Sequence, residues 1–178
     1  MNIRESTDAD LSTIRTIERA AFSSDEEADL VHALLVDPTA QPLLSLMALE
    51  NDRAVGHILF TRAYLAEAPS SLRMSILAPL AVVPDAQEKG IGEALIRGGL
   101  EILSLWNVAL VFVLGSPEYY GRFGFSPAGR YGFHTPSPIP IEYTDAWMVQ
   151  ELTAGTLGTV HGTVRCADSL NKPEFWSE

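Results

Sequence analysis

Cysteine is nearly missing from this chain: Cys166 stands alone. A single thiol closes no internal disulfide and lacks the partner that a zinc knuckle needs, so it reads as a small buried strand residue. Basic side chains are scarce as well, 12 against 23 acidic ones, for a formal net charge of -11. Such a field repels nucleic-acid phosphates; it favours a cationic substrate such as an amine, a lysine-bearing peptide or a polyamine, or serves solubility alone. No apolar run approaches the roughly 18 residues of a membrane span, and the opening MNIRESTDAD has neither the basic nor the apolar region of a secretory leader. The expectation is a cytoplasmic protein with neither nucleic acid nor a membrane as partner. His32, His57, His134 and His161 lack metal-ligand spacing, and no Gly-x-Ser-x-Gly elbow occurs. Metal and acyl-enzyme chemistries are therefore set aside. Repeats, low-complexity tracts and dividing linkers are also missing, and 178 residues with 47% apolar content suit a single domain over 1–178.

What is present alternates between strand and helix patterns. Asn2 to Ser6 reads as a strand, followed by a capping box at Thr7 to Asp10 and the helical spacing Leu11, Ile14, Ile17, Ala21. A second helix carries Ala28, Leu30, Val31, Leu34 and Leu35 and stops at Asp37-Pro38. Leu43–Glu50 and Ala54–Ala63 read as antiparallel strands joined by a tight hairpin at Asn51-Asp52-Arg53. A polar loop with Pro69 leads into the apolar run Met74–Val83, which Pro79 interrupts. Proline donates nothing to a ladder, so a bulge or splay is expected there, opening a gap beside a neighbouring strand. Ile91, Ala94, Leu95, Gly98, Ile102 and Trp106 share one face of a long helix, and Ala109–Leu114 is a buried strand, completing a βαβ crossover. After a short helix at Pro117–Phe123 comes a Pro/Gly-rich connection, Ser126–Asp145, and two last strands, Ala146–Leu152 and Thr159–Arg165. The fold class is α/β (α+β), with a central sheet partly antiparallel and partly parallel.

The stretch LAPLAVVPDAQEKGIG, Leu77 to Gly92, carries the most chemistry. Two glycines near a helix start can serve backbone geometry alone. Here, however, they follow an apolar strand and open a long amphipathic helix, which leaves unpaired helix N–H groups at a sheet edge as an anion cradle. Leu95 stands where a dinucleotide fingerprint would want glycine, and a nucleotide P-loop would need Gly-Lys-Ser/Thr, which is not found.

Gln87-x-x-Gly90-x-Gly92 resembles the Arg/Gln-x-x-Gly-x-Gly/Ala hallmark of the GNAT superfamily of acyl-CoA-dependent N-acetyltransferases. Tyr119-Tyr120-Gly121-Arg122-Phe123-Gly124-Phe125 resembles its second landmark, with Tyr120 four residues ahead of the Gly-Phe pair. The resemblance runs from about Ile3 to Phe125, and LAPLAVVP and YYGRFGF look most like the YhbS-like bacterial subgroup. It implies a GNAT-like sheet splayed between parallel strands 4 and 5, with acetyl-CoA as cosubstrate and no metal. The backbone of Gln87, Glu88, Lys89, Gly90, Ile91, Gly92 and Glu93 would hold the coenzyme pyrophosphate. Main-chain groups of Leu80, Ala81, Val82 and Val83 would pair with the pantetheine arm.

Within the resemblance Tyr120 takes the role of general acid toward the departing thiolate, or packs among Tyr119, Phe123 and Phe125. Two positions depart from the family. Gly115-Ser116-Pro117-Glu118 replaces Asn-x-x-Ala, leaving Ser116 as the substitute cofactor contact, and Ile76 and Leu77 stand where several relatives carry a glutamate base. Glu67, His57, Glu26 and Glu27, or solvent, remain as proton acceptors. The expected activity is acetyl transfer to an amine-bearing acceptor in a ternary complex; the alternative is an acyl-CoA-binding module without turnover. The segment Ser126–Glu178 is expected to shape the acceptor side, and the late strands with Trp147 leave a homodimer open.

Overall fold

Hydrogen-bonding demand and the apolar pattern build one mixed sheet. The computed structural model describes residues 1–68 and 71–177, so Pro69 of the polar loop lies outside the described residues. Strand β1 is Asn2–Glu5, β2 Leu44–Glu50, β3 Arg53–Leu65, β4 Arg73–Val82 and β5 Val108–Leu114. Helix α1 is Leu11–Phe22, α2 Glu26–Leu35, α3 Ile91–Leu105 and α4 the short turn Pro117–Gly121. Downstream come β6 at Ser126–Pro127, β7 at Phe133–His134, β8 at Trp147–Glu151 and β9 at Gly162–Arg165. The main path through the sheet runs β1-β2-β3-β4-β5-β8-β6. All its pairings are antiparallel except β4 with β5. The β2–β3 hairpin turns on Asn51 and Asp52, both left-handed with φ 51° and 65°. That is the geometry of a two-residue primed turn, which asparagine and aspartate tolerate better than other side chains.

Pro79 does what its missing N–H requires. Parallel pairing of β4 with β5 ends at Leu77 opposite Val113, whereas β4 stays with β3 as far as Val82 opposite Gly56. The β3–β4 register slips between Ile58 and Phe60, so that Leu77 faces Phe60 and Leu80 faces Ile58, leaving Ala78 and Pro79 out of step. Beyond Leu77 the outer edge of β4 is therefore an unpaired strand edge inside the sheet.

Helix α3 covers one face and the α1–α2 hairpin the other. The apolar face expected to hold Gly98 is rotated in the structure, and Gly99 is the glycine turned to the sheet: the buried stripe is Ile91, Leu95, Ile96, Gly99, Leu100 and Leu103. A Cβ on Gly99 would lie 2.3 Å from Phe60 Cε2, whereas one on Gly98 would meet nothing within 4 Å. A helix ridge needs a gap where a full-size ring arrives from the sheet, and Phe60 sets that place. Gly99→Ala gains about 1 kcal/mol of helix propensity. It overpacks a fully buried ring at a cost of about 1–3 kcal/mol. The expected net result is a destabilised fold, read as a lower urea midpoint at unchanged slope.

The C-terminal segment is anchored on β5 through aromatic packing. Trp147 stacks on Phe112 with centroids 5.2 Å apart, Phe133 meets Phe112 edge-on at 5.1 Å, and Trp176 closes on Trp147 at 5.7 Å. Trp147 is 3% exposed, so its indole belongs to this chain's interior and offers nothing to a second copy. Cys166 is buried just past β9, and burial, then Asp168, pushes its thiol up to about 12. Among the described residues no helix is long and apolar enough to cross a membrane.

Candidate active site

The unpaired edge of β4, the start of α3 and the short helix α4 enclose a cleft of about 780 Å³. Its floor is the N-terminal turn of α3. Gly90 caps that helix at φ 83° with no side-chain cap, and Glu88 before it is also left-handed at φ 62°. An uncapped helix start presents its first N–H groups to whatever occupies the cleft, and the helix dipole favours an anion there. Glu88, Gly90, Ile91, Gly92 and Glu93 line the cleft together with Gln87, whose Nε2 donates to the Val82 carbonyl at 3.0 Å. Lys89 is exposed and outside the lining.

The four strand residues anticipated for main-chain pairing divide in two. Leu80 and Val82 line the cleft. Ala81 and Val83 are 1% and 6% exposed and do not. The Val83 N–H donates to Val55 at 2.9 Å and its carbonyl accepts from Ala86 at 3.0 Å, so both groups are committed. The alternation of a strand explains the division, since successive residues turn their polar groups to opposite edges.

Helix α4 supplies the opposite wall. Ser116 caps it, its Oγ accepting from Tyr119 N at 3.3 Å, and also lines the cleft. Tyr120 is 9% exposed and lies outside the lining, edge-on to Tyr119 at 5.1 Å and to Phe125 at 5.8 Å. Its ring occupies the space a Cβ on Gly115 would need, which would lie 2.4 Å from Tyr120 Cε2. Burial, then the neighbouring Tyr119, pushes the Tyr120 phenol far up, so at neutral pH it is a proton donor and not a phenolate.

Sequence reasoning passed over Tyr119 and Arg122, which both line the cleft. The Arg122 guanidinium lies over the Tyr119 ring at 5.1 Å and over Phe123 at 5.2 Å. Tyr119 Oη lies 2.4 Å from where a Cβ on Gly92 would be, so this glycine makes room for a phenol over the helix start. The i, i+3 spacing of Tyr119 in a helix opened by Ser-Pro and Arg122 at its end is the signal that would have found them.

Of the anticipated proton acceptors, His57 is fully buried against Glu18 and Ser45. Glu67 is exposed beside Gly162, and Glu26 is exposed in the first turn of α2. Glu27 is half-buried. Ile76 and Leu77 are buried apolar residues at the end of the β4–β5 pairing.

Comparison with known proteins agrees with this geometry. An acetyltransferase (GNAT) domain model matches residues 2–128. The chain is 51% identical over 161 residues, 90% of its length and 88% of the relative's, to YjhQ of Escherichia coli strain K12, described as an uncharacterized N-acetyltransferase. It is 30% identical over 173 residues, 97% and 99% of the two lengths, to a second one, YhbS, of the same strain. The crystal structure of Escherichia coli YhbS in complex with CoA superposes with a TM-score of 0.86 at 29% identity, covering 96% of this chain and 92% of that one. A GNAT acetyltransferase from Brucella melitensis in complex with acetyl-CoA gives 0.73 at 27% identity, covering 95% and 97%. Hallmark loop, splayed sheet and these matches converge: the chain belongs to the GNAT family of acetyltransferases.

Proposed function

We propose that this protein transfers an acetyl group from acetyl-CoA to a primary amine by direct attack in a ternary complex. One observation carries the reading: the cleft runs from an uncapped helix start to a strand edge that lost its partner at Leu77. A diphosphate fits the first feature, and an amide-bearing pantetheine arm fits the second as an added strand. The N–H groups from Gln87 to Glu93 hold the diphosphate, with Arg122 as the cationic side chain of the wall. Leu80 and Val82 offer main-chain groups to the arm. The thioester then comes to rest in the gap past Leu77 and Val113.

The neutral amine attacks the thioester carbonyl, the new C–N bond forms, and the C–S bond breaks as the tetrahedral intermediate collapses. The departing thiolate takes its proton from Tyr120, and solvent restores the phenol. Counted from an ammonium acceptor, the products are the amide, coenzyme A thiol and one proton. Residues 126–178 form the acceptor side, and the excess of acidic side chains draws a cationic acceptor toward it.

The test is release of coenzyme A thiol from acetyl-CoA with a panel of small amines, lysine peptides and protein N-terminal peptides. Acceptor-dependent thiol release is the expected result. A thermal shift with acetyl-CoA but no acceptor-dependent thiol for any amine would mark a binding module instead.

A further inference from the structure

At the other end of α3 from the cleft lies a second cavity, of about 490 Å³. The cleft sits at the start of that helix, whereas Trp106, the residue just past its end, lines the second cavity. The 15 residues of α3, about 22 Å, keep the two apart. The volume falls in the range of pockets that hold small organic ligands.

Strand alternation assembles its polar side. Arg62 and Tyr64 lie two apart on β3, as do Arg73 and Ser75 on β4, and Arg62 stands opposite Ser75 in the antiparallel register. All four therefore share one face of the sheet. All four line the cavity, together with Trp106 and Val108 from beyond α3. Although the chain has 23 acidic side chains, none is among the described residues of this lining. Glu67, which falls between two lining residues in sequence, lies beside Gly162 instead.

Two guanidiniums on one small cavity are a concentration of positive charge in a chain of net charge -11. Arg4, Arg15, Arg19, Arg53 and Arg97 each meet a carboxylate. The two arginines of the cavity are engaged by neutral groups. The Arg62 guanidinium lies over the Tyr64 ring at 4.4 Å, and Arg73 Nη1 donates to the Trp106 carbonyl at 3.0 Å. A ring face and a carbonyl orient a cation without cancelling its charge, and one carbonyl does not exhaust the donors of a guanidinium.

We propose that this cavity is a second ligand site, for a small organic carboxylate with a flat apolar body. The carboxylate takes N–H groups of Arg62 and Arg73, whose planar forks match its two oxygens, and the Ser75 hydroxyl beside them. The body lies against Tyr64, Trp106 and Val108. Inorganic phosphate satisfies the arginines but leaves those apolar walls unused.

Calorimetric titration of the full chain with naphthoate, with its neutral amide and with inorganic phosphate, each repeated in saturating acetyl-CoA, tests the site. Naphthoate is expected to bind at least about tenfold more tightly than the amide or phosphate. Its affinity should be the same with acetyl-CoA present, and it should shift the backbone amide NMR signals of Ser75 and Trp106. Arg62→Gln should weaken it about tenfold, and Arg62→Lys, which keeps the charge and loses the fork, should weaken it less. Arg62 is the arginine to replace, because Arg73 also holds the end of α3. Naphthoate that binds no better than the amide or phosphate, that acetyl-CoA displaces, or that Arg62→Gln leaves equally tight would overturn the proposal. Should Arg62→Gln fail to fold, the acid-against-amide comparison and the NMR shifts of the wild type decide it. A preference for the acid with Ser75 and Trp106 shifted supports the site, and either one missing contradicts it.

Discussion

Tyr120→Phe is expected to lower turnover by about two to three orders of magnitude, the usual contribution of a positioned general acid. Coenzyme binding should change by less than about twofold, because Tyr120 is not part of the cleft lining. The ring is retained, and with it the edge-on contacts to Tyr119 and Phe125 and the packing on Gly115. Loss of the hydroxyl alone, with the ring kept, should shift stability by no more than about 0.5 kcal/mol. Steady-state kinetics beside a binding isotherm therefore separate chemistry from packing. Equal turnover in variant and wild type would remove Tyr120 from the reaction and leave it a packing residue.

Gly92→Val should cost acetyl-CoA affinity about a hundredfold, near 3 kcal/mol. A Cβ at that position lies 2.4 Å from Tyr119 Oη and 3.7 Å from Leu80 Cδ2, so the phenol must swing out while valine methyls cover the first N–H groups of α3. The same change should leave the empty protein as stable or slightly more so, because valine costs a helix less than glycine does. A variant that melts no lower than wild type yet no longer gains Tm from acetyl-CoA would place the effect in the cleft. Gly92→Ala should fall between the two. Undiminished affinity in Gly92→Val would show that the ligand does not use the start of α3.

The legible parts of this chain were those written in local chemistry. Asn51-Asp52 announced its turn because few side chains accept a left-handed backbone, and Pro79 announced the splay because it has no N–H. Gln87 to Gly92 marked the cleft for the same kind of reason: an uncapped helix start is a backbone property with a short sequence signature. What depended on partners was hidden. Gly99 rather than Gly98 meets the sheet because Phe60 arrives there, a fact of packing that no periodicity contains. Ala81 and Val83 read like Leu80 and Val82 until strand alternation sent their polar groups to the other edge. Glu18 of α1 is buried against His57 of β3, a pairing across elements that no local pattern contains. Tyr119 was read as packing beside Tyr120, yet it is Tyr119 that stands in the cleft wall.

The most direct measurement is a crystal structure of the protein with acetyl-CoA and a primary amine that supports thiol release. The account predicts the diphosphate on the N–H groups at the start of α3, the pantetheine arm on Leu80 and Val82, and the sulfur within hydrogen-bond reach of Tyr120 Oη in the gap past Leu77. Acetyl-CoA bound away from that gap, or with its sulfur out of reach of Tyr120, would contradict it.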